Sequence, residues 1–130
     1  MTEVLKSSPE NELRRLIDIV AKLRGPEGCP WDIEQTPESM IPFLLEEAYE
    51  VVESIEDGKQ EDILAELGDL LLHIVMQAQM AEERNNFELR DAIYSINEKL
   101  IRRHPHVFSD DNSQSKRIED AKENWERVKK

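Results

Sequence analysis

Five acidic residues in two short segments have the types and spacing to do chemistry together: Glu46, Glu47 and Glu50 in LLEEAYE, and Glu66 and Asp69 in AELGDLL. At about 100° per residue, Glu47 and Glu50 share one edge of a helix, and Glu66 and Asp69 share the matching edge of the next. Gly58 lies midway, because Glu50 and Glu66 are equally far from it in sequence, as are Glu47 and Asp69. An antiparallel fold-back at Gly58 therefore brings the pairs to common levels and predicts a patch of four carboxylates. Two like charges about 4 Å apart repel by roughly 4 kcal/mol at an effective dielectric near 20, so such a patch needs a cation. Oxygen-only ligands select a hard ion, Mg²⁺ with Mn²⁺ as a substitute, and Mg²⁺ fills its remaining positions with water and phosphate. The chemistry expected is a metal-dependent reaction on a phosphorylated compound. Glu46 lies beside the pairs, turned toward the polar side, where it either holds or deprotonates a water or is simply solvated. With 29 acidic residues in 130, a solvated acidic face is the competing reading. Against it, Glu66 and Asp69 interrupt the apolar run AELGDLLLHIVM, where an unpartnered charge is penalised.

These side chains need a helical hairpin to hold them. Apolar residues fall at Leu44, Leu45, Ala48, Val51, Val52 and Ile55 before Gly58, and at Ile63, Leu64, Leu67, Leu70, Leu71, Ile74, Val75 and Ala78 after it. Both runs have helical period. The second helix, about Glu61 to Arg84, carries a further apolar line at Leu72, Met76 and Met80. A helix apolar nearly all round must be covered on two sides, and in so short a chain a partner subunit is the expected cover, giving a homodimer. His73, one turn after Asp69, reads either as a satisfied interface histidine or as a ligand.

Around the hairpin, Ser8-Pro9 is a cap and start signal for a helix with Leu13, Leu16, Ile17, Val20 and Leu23 inward, ending at Gly25-Pro26. The segment GPEGCPWDIEQ reads as a loop, its Trp31 either plugging the helix ends or offering a stacking surface to a planar ligand. Thr36-Pro37 signals a second start, which Pro42 should kink or break. A further helix runs from about Glu88 to Arg103, with Leu89, Ala92, Ile93, Ile96 and Leu100 inward. Lys99, Arg102 and Arg103 in its last turn either complement the helix dipole or contact phosphate. SDDNSQS is a polar linker, and Ile118, Ala121, Trp125 and Val128 make the stripe of a last helix, with Trp125 and Lys129 one turn apart.

The expected fold is all-α: a single domain over residues 1–130, about five helices around a central antiparallel hairpin. Four Gly and six Pro suit long helices, and a net charge of −12 argues against nucleic acid as a partner. One cysteine, Cys29, excludes an internal disulfide. No signal peptide and no apolar run of about 18 residues is read, so the expectation is a cytoplasmic protein without a membrane partner. A di-iron carboxylate bundle would want Glu-x-x-His pairs, and none of His73, His104 and His106 has Glu three positions before it.

The segments LRGPEGCPWDIEQT, the EExxE of Glu46, Glu47 and Glu50, the ExxD of Glu66 and Asp69, and EKLIRRHPHVF together resemble the MazG family of nucleoside triphosphate pyrophosphohydrolases, over roughly Leu13 to Lys129. The resemblance implies a dimeric helical bundle that binds Mg²⁺ and hydrolyses nucleoside triphosphates between the α and β phosphates, giving a monophosphate and pyrophosphate. It places the metal-holding positions on Glu47, Glu50, Glu66 and Asp69, and the substrate contacts on Lys99, Arg103, Trp125 and Lys129, with Trp31 in the base pocket. Water attack at the α phosphorus, oriented by Glu46 or Glu50, would follow. The best-known members carry two such domains in tandem. Phosphoribosyl-ATP hydrolysis and a non-catalytic helical interaction module are the alternatives.

Overall fold

A computed structural model of the chain describes residues 6–109 and 117–127, and every regular element among them is helical. The helices are α1 (Pro9–Leu23), α2 (Pro30–Glu34), α3 (Ile41–Asp57), α4 (Gln60–Glu83), α5 (Leu89–Arg103), α6 (Pro105–Phe108) and α7 (Ile118–Arg127). They fall into two compact units, residues 1–88 and 89–130. The five expected helices are α1, α3, α4, α5 and α7, and the two short ones were not anticipated.

In the first unit, α1 starts where Ser8 Oγ accepts from the Asn11 backbone N–H at 3.2 Å, with Pro9 in the first turn. Its missing N–H costs nothing there. The break expected at Pro42 is present: Thr36–Met40 forms a short turn, and α3 begins at Ile41 with this proline in its first turn. The turn is held by Thr36 Oγ1, which accepts from the Ser39 N–H at 3.0 Å. α3 ends at Gly58 in the left-handed conformation, φ 76°, where the Gly58 N–H donates to the Ser54 carbonyl at 3.0 Å. A side chain is disfavoured in that conformation, and glycine permits the sharp reversal into α4. α3 and α1 both pack on α4.

The core of this unit is Val20, Met40, Val51, Val75, Met76, Ala78, Met80 and Ala81. That corrects part of the expected polarity of α4. Met76 and Met80, assigned to a face awaiting a partner subunit, are buried within the chain beside Val75 and Ala78 of the main stripe, whereas Leu64, Leu67, Leu71 and Ile74 of that stripe are exposed. The buried surface of α4 thus cuts across both apolar lines, as packing with α1 and α3 dictates. α4 is also long and apolar enough by composition to cross a membrane, contrary to the expectation that no stretch was. α1 and α3 pack on it, and 28% of that stretch is buried.

The GPEGCPWDIEQ segment is more ordered than a loop. Cys29 N–H donates to the Leu23 carbonyl at 2.8 Å, and Pro30 opens α2. Gly28 is required there, since a Cβ would lie 2.2 Å from the Leu23 carbonyl oxygen. Trp31 is 49% exposed, so it does not plug the helix ends.

In the second unit, α5 packs with α6. The expected inward stripe of α5 is not covered: Ala92, Ile93, Ile96 and Leu100 are exposed, and Arg103 is the buried residue of that helix. On α7, Ile118 is exposed and Trp125 half-buried. The polar linker lies outside the described residues apart from Ser109, as do Val128 and Lys129.

Candidate active site

Helix geometry brings together the residues that the spacing selected. Glu47 on α3 and Glu66 and Asp69 on α4 each offer one carboxylate oxygen, and these oxygens lie within 4.8 Å of one another. Glu50 adjoins the group, its carboxyl acting on both Glu47 and Glu66. Glu50 and Glu66 also line a groove of about 290 Å³ running toward the turn, with Glu53, Ser54, Asp57 and Asp62. Glu46, next to Glu47 in sequence, is exposed and is not one of the three grouped carboxylates.

The electrostatics are those of an uncompensated site. Glu47 Oε2 and Glu66 Oε2 are buried with no hydrogen-bond partner among the described residues. Burial, and then the carboxyls of Glu66 and Glu50, push Glu47 up to about 7. Burial and the neighbouring Glu50 and Asp69 raise Glu66 as well. Buried acceptors are ordinarily satisfied, and crowding like charges raises the cost of ionising each of them. Oxygen donors converging on one point, two of them lacking any donor, fit a hard divalent cation.

His73, one turn beyond Asp69, is buried, and its Nδ1 has no partner among the described residues. It does not join the carboxylate group.

Trp31 sits at the start of α2 and meets Phe43 edge to face, with ring centroids 5.7 Å apart and planes at 83°. Phe43 was not anticipated. Arg24 was also missed. Its Nε and Nη2 each donate to the Glu83 carboxylate at 2.9 Å, and its Nη1 donates to the carbonyls of Asp32 and Gln35 at the end of α2. The local pattern gave no sign of this, since Glu83 is 59 positions away.

The basic and aromatic candidates belong to the second unit. The Arg103 guanidinium stacks 4.3 Å from the Trp125 ring centroid, and His104 lies 5.7 Å from the same ring. His104, Ile118, Ala121, Lys122, Trp125 and Glu126 line a groove of about 610 Å³. Lys99 is half-buried and Arg102 exposed. Lys129 lies outside the described residues.

Comparison with known proteins places these features in a family. The family model for the MazG nucleotide pyrophosphohydrolase domain matches residues 35–108, which include both acidic pairs and α5. The chain is 52% identical over 108 residues to the nucleoside triphosphate pyrophosphohydrolase/pyrophosphatase MazG of Thermotoga maritima, covering 82% of this chain and 42% of that protein. It is 45% identical over 120 residues to the nucleoside triphosphate pyrophosphohydrolase of Escherichia coli K12, covering 92% of this chain and 45% of that one. It thus spans less than half the length of each of these two relatives. Among solved structures, a MazG-related protein from Thermotoga maritima matches with a TM-score of 0.72 at 27% identity, over 89% of this chain and 97% of that one. With the domain match, the helical hairpin and its crowded carboxylates in agreement, the chain belongs to the MazG family.

Proposed function

We propose that this chain is an Mg²⁺-dependent enzyme, with Mn²⁺ as a substitute, that hydrolyses nucleoside triphosphates to nucleoside monophosphate and pyrophosphate by water attack at the α phosphorus. The observation that carries the reading is the convergence of Glu47, Glu66 and Asp69 within 4.8 Å, with buried oxygens left without donors. Family membership and the printed activities of its relatives support it.

Glu47, Glu50, Glu66 and Asp69 would hold the ion. When bound, Mg²⁺ neutralises charge on phosphate oxygens and lowers the pKa of coordinated water. Glu46, exposed beside the cluster, and Glu50, at its edge, are the carboxylates that orient the attacking water and accept its proton. Lys99, Arg102, Arg103 and Lys129 are assigned to phosphate and Trp125 to stacking. The Arg103 guanidinium lies 4.3 Å from the Trp125 ring centroid, which keeps these two assigned contacts side by side. Trp31 is assigned to the base.

The 130 residues act as one MazG-like domain in the cytoplasm, paired as a homodimer. The face of Leu64, Leu67, Leu71 and Ile74 on α4, with Leu45, Tyr49 and Val52 on α3, supports pairing, since all seven are at least 41% exposed and contiguous apolar surface of this kind marks an interface. Light scattering giving a monomer at micromolar concentration would remove the dimer.

The test of the reaction is incubation with a panel of ordinary, deoxy and modified triphosphates, Mg²⁺ and ¹⁸O-labelled water. Pyrophosphate release with the label in the monophosphate is expected. Label in the pyrophosphate would place the attack at the β phosphorus, and no release with any triphosphate would end the proposal.

A further inference from the structure

Phe43 and Glu47 are four residues apart on α3, so the aromatic ring and the first carboxylate share one side of that helix, about 6 Å apart along its axis. The antiparallel register that levels Glu47 with Asp69 about Gly58 puts Phe43 on the next level beyond them. Trp31 and Phe43 are 49% and 41% exposed despite their mutual contact, so the pair presents an open aromatic edge whose Phe43 member is one helical turn from Glu47. In a nucleoside triphosphate the sugar and base follow the α phosphate over a comparable distance.

The Trp31 side of this edge rests on a helix of five residues, too short to be stable alone. Its carbonyls at Asp32 and Gln35 are capped by Arg24 Nη1, and the other two donors of that guanidinium grip Glu83 at the end of α4. The Arg24 side chain is 9% exposed. A single planar fork thus ties α2 to the C-terminal end of the helix that carries Glu66 and Asp69.

We propose that Phe43 completes with Trp31 a stacking edge for the nucleoside of the substrate, and that Arg24 is a positioning residue that fixes this edge through Asp32, Gln35 and Glu83. The proposal rests on the assignment of Trp31 to the base made above. It separates recognition of the nucleoside from recognition of the phosphates, which the carboxylates and their ion perform.

The test is calorimetric binding, with Mg²⁺, of an α,β-methylene nucleoside triphosphate and of inorganic tripolyphosphate. Phe43→Ala is expected to weaken nucleotide binding at least tenfold and to leave tripolyphosphate within twofold. Arg24→Ala should weaken nucleotide binding about fivefold with the same selectivity. Arg24→Lys keeps the charge opposite Glu83 but cannot also cap two carbonyls. It should recover most of the melting temperature while nucleotide affinity stays low, and it carries the test if Arg24→Ala does not fold. Nucleotide and tripolyphosphate affinity falling together, full recovery of nucleotide binding in Arg24→Lys, or a Phe43→Ala variant altered only in oligomeric state would each overturn the proposal. Because the readout is binding, absence of turnover sinks the hydrolytic reading alone, and the nucleotide-to-tripolyphosphate ratio still decides this one.

Discussion

Two places in the first unit withdraw charge from water, and they do so by opposite means. At Arg24 the three donating nitrogens find acceptors, two on Glu83 and two main-chain carbonyls, and the pairing holds Glu83 below the usual carboxylate range while keeping Arg24 more firmly protonated. At Glu47 and Glu66 the neighbours are more carboxylates, two buried oxygens lack donors, and both groups are pushed upward. The first arrangement is complete in the folded chain. The second is left unbalanced among the described residues, as a cation site would be, and this difference separates a structural charge from a candidate functional one.

The comparison breaks most decisively at the carboxylates. Asp69→Ala and Glu50→Ala are each expected to abolish pyrophosphate release while circular dichroism stays within a few per cent of the parent. Retention of more than about a tenth of the activity, a loss below ~1.4 kcal/mol, would remove that residue from the catalytic set. Removing the complete charge should act on folding. Arg24→Ala is expected to cost about 2–3 kcal/mol in urea denaturation, less than the loss of one partner from a fully buried pair, because Glu83 keeps 37% of its side chain in solvent.

The pH dependence of the metal-free protein sharpens the contrast. Glu47 stands near 7 in the folded chain against 4.5 when unfolded, so the folded state binds its proton more tightly. That contribution is fully present below about pH 4.5 and is lost as pH rises through about 7. The melting temperature should therefore fall between pH 5.5 and pH 8, and the fall should shrink in Glu47→Gln and on adding Mg²⁺. A flat profile in the parent would show that the carboxylates are not crowded in solution.

Smaller effects test the frame. Gly58→Ala should cost about 1–2 kcal/mol from the left-handed backbone alone, because nothing lies within 4 Å of the added Cβ. Arg14→Ala, which removes an exposed pair with Asp18 at 3.5 Å, should change stability by less than about 0.5 kcal/mol.

Much of the site was legible because it is local. Glu47 with Glu50 and Glu66 with Asp69 are fixed within single helices, and the position of Gly58 alone sets the level at which the helices meet. The long helices followed from periodicity and from caps such as Ser8 for the same reason. The two short helices escaped because α2 and α6 span only five and four residues, less than a periodic signal needs.

What the chain order determined by itself is the chemistry on each helical edge and the family to which its motifs belong. Tertiary packing alone decided that Met76 and Met80 turn inward while Leu67 and Ile74 stay exposed, that Trp31 meets Phe43, and that Arg24 reaches Glu83 across 59 positions. Periodicity marks which residues are apolar. Which of those residues are buried, and which distant carboxylate a cation finds, depends on contacts between elements that no local spacing encodes.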